Sequence, residues 1–400
     1  WRVASDMLWV PVCAHAAAAT TPVPKPIDLV HASATASSSA SSILAQLSAE
    51  AAKIESDFAG VCDMYGKGEW IDAFQEQVAA DLGKEAGLFM PTGVCAQQAA
   101  LSVYAGLPLA SRSQLRPSFV THATSHLLVH EENAYNDLLG LTAIKAGADS
   151  RPLTAADVEV ELKRLVAVGL TPCCIVIEMP WRELGCRATP WDELLALRKL
   201  ADKYGTPLHM DGARLLEIAP WYGRDPAEIA ALFDSVYLSF YKGLGGLSGA
   251  MLLGTAPFVK QATPWRRRLG GNAFTAMPTA LSCRVGYDTH RHSFEARWQL
   301  LRRLAALVSA SDARVRFEPP TPECCHAHCY LRASAELLDA ARDAALRETG
   351  VRVYRRLRGE GVGEGGSECY FEWVIGPEQL GLGDELVLGA WAAFLRALPT

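Results

Sequence analysis

One stretch of alternating segments constrains this chain more than any other. "CCIVIEMP" reads as a buried strand, "PWDELLALRKLADKYG" as a helix closed by Gly205, "PLHMD" as a strand, "DPAEIAALF" as a helix and "SVYLSFYKG" as another strand. Apolar strands separated by helix-length connections pair in parallel and need cover on both faces. The spacing therefore predicts an α/β fold, a mostly parallel central sheet with helices on both faces. Parallel strands gather their carboxyl ends along one edge, and ligands sit there.

Either side of this stretch the pattern changes. "EWIDAFQEQVAADLGK" predicts a helix ending near Gly83, and "AGLFMPTGVCAQQAALSVYAG" a short strand, a Pro-Thr-Gly turn and a second helix. Residues 1–48 are rich in Ala, Ser, Thr and Pro, and "HASATASSSASS" is low in complexity. They read as an arm, either disordered or the remnant of an organelle-targeting peptide. By this reading residues 49–283 form a large ligand-binding domain and residues 284–400 a smaller C-terminal α+β domain. The latter holds a long helix in "SFEARWQLLRRLAALVSA", a strand in "CCHAHCYL", and helices in "AELLDAARDAALRETG" and "GDELVLGAWAAFLRAL". The cluster "RGEGVGEGGSE" reads as a mobile loop.

Charge narrows the partners. With 38 basic and 44 acidic side chains the formal charge is -6, the wrong sign for a nucleic-acid surface. No apolar run reaches the roughly 18 to 20 residues that a membrane helix needs. Small molecules and further copies of the chain are the expected partners. The 11 cysteines are scattered or adjacent rather than evenly spaced, which suggests a reducing compartment: the cytoplasm, or an organelle if the arm is a targeting remnant.

Candidate chemistry concentrates after two of the strands. Lys242 sits between an apolar strand and a Gly-Leu-Gly-Gly bend, and a desolvated lysine amine is a usable nucleophile toward a carbonyl. Alone it would pass for a surface lysine at a turn. Asp211 closes the preceding strand, and an acid and an amine so placed are what pyridoxal 5'-phosphate requires: one faces the pyridine nitrogen, the other binds the aldehyde. Arg214 could enter the same crevice and grip an α-carboxylate. In "MPTGVCAQQ" a Thr-Gly turn opening a helix, Thr92, Gly93 and Val94, offers N–H groups and the positive end of the helix to a phosphate. In "CCHAHC" an extended strand would project Cys324, His326 and His328 to one face, a metal-like set, but no separated C-x-x-C partner completes it, and no metal is assigned.

These motifs, with "SHLLVHEENA" between them, resemble the L-threonine aldolase family of pyridoxal-phosphate enzymes, in the family's order and from about Asp63 to about Leu281. The resemblance implies an aspartate-aminotransferase-like, fold type I architecture and a homodimer or homotetramer with active sites near the dimer interface. It implies that an amino-acid substrate such as L-threonine or L-allo-threonine is cleaved to glycine and an aldehyde. Lys242 matches the cofactor-binding lysine, with Tyr241 in place of the usual serine before it. Asp211 matches the acid at the pyridine nitrogen, Arg214 the carboxylate arginine, and Pro91, Thr92, Gly93 and Val94 the phosphate turn, where Val94 lacks the second hydroxyl. His126, followed by Glu131, matches the histidine stacked on the ring and becomes a candidate for proton transfer. Asp63, Tyr65 and Gly66 match a segment near the dimer interface.

Apart from Tyr241 and Val94, the departures from the family bear on the substrate more than on the cofactor. Its opening Arg-Ser-Asp-Thr stretch is not found in residues 1–62, Phe274 stands where an arginine is expected, and "ECYFEWVIG" has no arginine where a second carboxylate-binding one belongs. A related reaction, β-elimination, racemisation or aldol transfer on another amino acid, is the alternative these departures leave open.

Overall fold

The structure, a computed structural model, describes residues 26–31, 39–58, 62–106, 117–363 and 366–399. Seven strands build the central sheet: β1 (Ala86–Met90), β2 (Ser118–His122), β3 (Thr142–Ala146), β4 (Ile175–Glu178), β5 (Leu208–Asp211), β6 (Ser235–Ser239) and β7 (Ala250–Gly254). Their order is β1-β7-β6-β5-β4-β2-β3. β2 to β6 run parallel, and β7 alone is antiparallel to its neighbours β6 and β1. Every residue of β4, β5, β6 and β7 is buried, so these strands read as continuous apolar runs rather than alternating ones. Their register sets Glu178 beside Asp211 and Asp211 beside Tyr237, levelling the strand ends that form the crevice.

Helices cover the sheet because their apolar residues recur every three or four positions. Trp191–Tyr204 buries Leu194, Leu197, Leu200 and Ala201, and ends where Gly205 turns left-handed at φ 61°. Gly93–Tyr104 starts at Thr92, whose hydroxyl accepts the Cys95 N–H. Strands β2 and β3 and the helix Ala155–Ala167 were not among the expected elements, although the helix carries a Thr154–Asp157 capping box and buries Val158, Leu162 and Leu165 at helical spacing. β3 lies at the sheet edge and only Ala146 of its five residues is buried, so its apolar pattern is faint.

The C-terminal part adds an antiparallel sheet of β8 (Val315–Glu318), β9 (His326–Leu331), β10 (Gly359–Gly363) and β11 (Gly366–Val374), in the order β10-β11-β9-β8. Helices Ala335–Thr349 and Asp384–Ala397 belong to it, and Trp391 stacks on Trp373 at 5.3 Å between ring centroids. The glycine cluster expected to be a mobile loop is instead the hairpin β10–β11: backbone pairing along Gly359–Gly363 needs no side chains and extends the ladder of β11. Position 284 lies inside the helix Met277–His290.

Part of the expected arm is also ordered. Ile27–Asp28 pairs in parallel with Val351–Arg352, Leu29 is buried, and its carbonyl accepts the Trp373 indole N–H. Asp28 is clasped by Arg352 and Arg355. The helix Ala40–Asp57 then begins at a Ser39 cap. The rest of the arm, residues 1–25 and 32–38, lies outside the described residues.

Candidate active site

The phosphate turn, Asp211, Lys242, Glu178 and His126 each follow or close a strand at the same sheet edge. Lys242 lies just past β6 on backbone pinned from both sides: Gly243 N–H donates to Glu217 Oε1 at 3.2 Å, and Arg297 Nη1 donates to the Gly243 carbonyl at 2.7 Å. The Lys242 amine has no hydrogen bond or ion pair among the described residues, only the Tyr241 ring at 5.9 Å. Burial and the charge of Arg214 push it down to about 8, although Asp211, Glu178 and Glu217 pull the other way. Desolvation wins, so a substantial fraction of the amine is neutral near pH 8.

Lys242 and Arg214 line one cavity of about 390 Å³, with Tyr241, His326, Arg356 and Glu372 among the other walls. Arg214 follows Asp211 at the start of the helix Leu215–Tyr222 and approaches Glu217 at 3.8 Å. Asp211 lies 2 % exposed at the end of β5, its oxygens taking the Gln97 amide N–H at 2.6 Å and the Ala213 N–H at 3.2 Å.

At the phosphate turn, Thr92 spends its hydroxyl on capping, and any side chain at Gly93 would collide with the Tyr237 phenol. Glycine is thus required for the turn to lie against β6. Val94 is exposed and offers only its backbone N–H, as its missing hydroxyl implies. His126 follows β2, and its Nδ1–H donates to Glu131 Oε1 at 3.1 Å while Glu131 Oε2 accepts from Gln98 at 3.0 Å. That bond fixes the tautomer of the ring.

Asp63 accepts from Gly66, Thr275 and Ala276, tying the Asp63–Gly66 turn to the segment that holds Phe274. Tyr65 meets Phe274 edge-on at 5.3 Å, and both rings are exposed.

Two carboxylates went unnoticed in the sequence. Glu178 ends β4, and its oxygens accept the N–H groups of His126 at 2.8 Å and Arg182 at 3.0 Å. Burial and the neighbouring Asp211 charge raise it to about 7. "CCIVIEMP" carried the signal, an acid closing an otherwise apolar strand, as Asp211 does in "PLHMD". Glu372, on β11, replaces any second arginine there and ion-pairs with Arg182 at 2.8 Å and Arg358 at 2.7 Å. Burial opposes its ionisation, but His326, Arg182, Arg358 and Arg214 outweigh it and hold the carboxyl near 2.

The metal-like set also changes membership. His326 and His328 meet Glu372, one donor atom each within 4.8 Å of the others, whereas Cys324 precedes the strand and donates to the His326 carbonyl. Both Glu372 oxygens are already engaged by guanidinium groups, and a divalent cation would be repelled by those charges.

Such a sheet order, with one antiparallel strand and a lysine, an acid and a helix N-terminus at the parallel strand ends, defines the fold type I class of pyridoxal-phosphate enzymes. The chain belongs to the beta-eliminating lyase family, whose pattern it matches over residues 39–330. It is 32% identical over 52% of its length to the aldolase vrtJ of Penicillium aethiopicum, covering 51% of that protein. It is 27% identical over 52% of its length to the low specificity L-threonine aldolase of Escherichia coli K12, covering 60% of it. The match thus spans little more than half of these curated relatives. A Listeria monocytogenes structure described as a candidate L-allo-threonine aldolase superposes with a TM-score of 0.81 at 28% identity, over 94% of this chain and 97% of that one.

The donor set fits pyridoxal 5'-phosphate: an unpaired buried amine, a buried acid, an open helix N-terminus and a cavity that joins the amine to an arginine.

Proposed function

We propose that this chain cleaves the Cα–Cβ bond of β-hydroxy-α-amino acids, L-threonine or L-allo-threonine, releasing glycine and an aldehyde. Lys242 carries the reading: a buried amine without a hydrogen-bond or ion-pair partner among the described residues, within range of the Asp211 charge and sharing a cavity with Arg214. Lys242 would hold pyridoxal 5'-phosphate covalently, Asp211 would face its ring nitrogen, and the N–H groups of Gly93 and Val94 would meet its phosphate. When bound, the cofactor supplies an electron sink for the pair released at Cα.

The chain's own groups do the rest. Arg214 orients the substrate through its α-carboxylate. His126, held by Glu131, would lie over the ring and stands as the candidate to take the β-hydroxyl proton, directly or through water. Glu178 fixes the His126 backbone, so its role is to place that ring. Exposed Met64, Tyr65 and Phe274 fit a homo-oligomer whose interface lies beside the site. No helix among the described residues is long and apolar enough to cross a membrane, and the compartment, cytoplasmic or organellar, stays part of the proposal.

One observation favours a second reaction on the same cofactor. Glu372 stands on the wall where a second arginine was expected, and His326 Nε2 in that wall lies 3.8 Å from its carboxylate. The alanine racemase TOXG of Cochliobolus carbonum is 26% identical over 50% of this chain and 49% of its own length. Products from L-threonine, L-allo-threonine, L-serine and L-alanine separate the readings. Glycine with acetaldehyde from either threonine supports the aldolase. A keto acid or D-alanine, with no glycine formed, overturns it in favour of elimination or racemisation.

A further inference from the structure

Behind Asp211 runs a buried line of hydrogen bonds that the proposed reaction does not use. Gln97 Nε2 donates to Asp211 Oδ2 at 2.6 Å, and Gln97 Oε1 lies 2.7 Å from His209 Nε2. His209 Nδ1 lies 2.6 Å from Ser235 Oγ, which is 2.6 Å from the Tyr104 hydroxyl. Gln97, His209 and Ser235 are each at most 1 % exposed, so water does not compete for these groups. Three elements contribute: Gln97 and Tyr104 from the helix after the phosphate turn, His209 from β5, and Ser235 from β6, where it is the register partner of His209.

The chemistry of each partner sets the direction of every proton. An amide oxygen only accepts, so His209 Nε2 carries a hydrogen and gives it to Gln97. Burial pushes the His209 imidazole down to about 4, so near neutral pH the ring holds one proton and its Nδ1 accepts. Ser235 therefore donates to His209 and accepts from Tyr104. All donors point the same way, toward the carboxylate.

We propose that Gln97, His209 and Ser235 are positioning residues for Asp211: a one-way donor line that fixes the carboxylate for the cofactor's ring nitrogen, its direction set by the acceptor-only carboxylate and its far end held by the Ser235 hydroxyl. This rests on the cofactor assignment above. Without that hydroxyl, His209 Nδ1 is left buried with no donor, and the ring loses the bond that seats its Nε2–H against Gln97 and, through Gln97, Asp211. Buried groups left so unpaired are costly. Loss of the Tyr104 hydroxyl differs, because Ser235 loses only a donor to itself and still points at His209.

The test measures pyridoxal 5'-phosphate affinity by equilibrium dialysis, with the visible absorbance maximum of the loaded protein and the melting temperature of the cofactor-free protein. Gln97→Leu and Ser235→Ala should weaken cofactor binding by about tenfold and move the band. Tyr104→Phe should change affinity less than about twofold, and Ser235→Thr, which keeps the hydroxyl, should restore both readouts. Wild-type affinity and spectrum in a folded Gln97→Leu or Ser235→Ala would overturn the proposal, as would equal losses in Ser235→Ala and Tyr104→Phe. Should Ser235→Ala fail to fold, Gln97→Leu decides alone. A wild-type chain that takes up the cofactor with no visible band would overturn the cofactor assignment itself and, with it, this role.

Discussion

The two walls of the site are built on different principles. The wall from the large sheet holds each candidate group by short bonds to buried neighbours: Gly243 between Glu217 and Arg297, His126 on Glu178 and Glu131, Asp211 on Gln97. The wall from the small sheet is an array of charges, with Glu372 clasped by Arg182 and Arg358 beside His326 and Arg356. The first wall follows the aldolase pattern except at Tyr241 and Val94, and on the second Glu372 stands where that pattern expects an arginine. A cofactor presents one fixed shape and demands fixed geometry, whereas a substrate wall can change its charges without disturbing the sheet. The difference teaches that cofactor and substrate are separable questions in this molecule.

Breaking the first wall should have the largest effect. Lys242→Ala is expected to lose the visible cofactor absorbance and all measurable turnover, read by spectrum and by glycine release; wild-type turnover would contradict the assignment. Next comes pH. Only the neutral amine attacks an aldehyde, so capture of pyridoxal 5'-phosphate by the cofactor-free protein should rise about tenfold per pH unit below about 8 and level off above it. Stopped-flow absorbance checks this, and a profile still rising tenfold per unit up to pH 9 would show that burial does not lower the amine.

The second wall should respond more mildly and in a different constant. Glu372→Gln removes the anion between Arg182 and Arg358, and is expected to shift KM for the amino acid by about tenfold with kcat and the cofactor band little changed. A lost band would show that the two walls are not separable. Smallest is Thr92→Ala, which removes the cap of Gly93–Tyr104 and should cost about 1 kcal/mol in the cofactor-free protein by urea unfolding. No change there would mean that the phosphate turn is held by its packing on Tyr237 alone.

What the sequence revealed follows the same division. Continuous burial made β4, β5 and β6 legible as apolar runs, and the residues closing β5 and following β6 pointed to Asp211 and Lys242 because strand ends share an edge. Edge strand β3 was hidden by its polar residues. The glycine-rich β10 was hidden because backbone pairing leaves no side-chain pattern. Glu178 was overlooked although it closes its strand as Asp211 does. Glu372, Gln97 and His209 had no local signal, since their partners lie on other elements: Arg182 before β5, Asp211 beyond the helix, Ser235 on the next strand. Long-range pairing of charge and hydrogen bonds is what one-dimensional spacing does not encode.

Covalent mapping examines the central claim most directly. The purified chain is incubated with pyridoxal 5'-phosphate, reduced with borohydride, digested, and its lysine peptides are weighed by mass spectrometry. The account predicts one stoichiometric adduct on Lys242, absent from Lys242→Ala. An adduct on another lysine, or none, would contradict it.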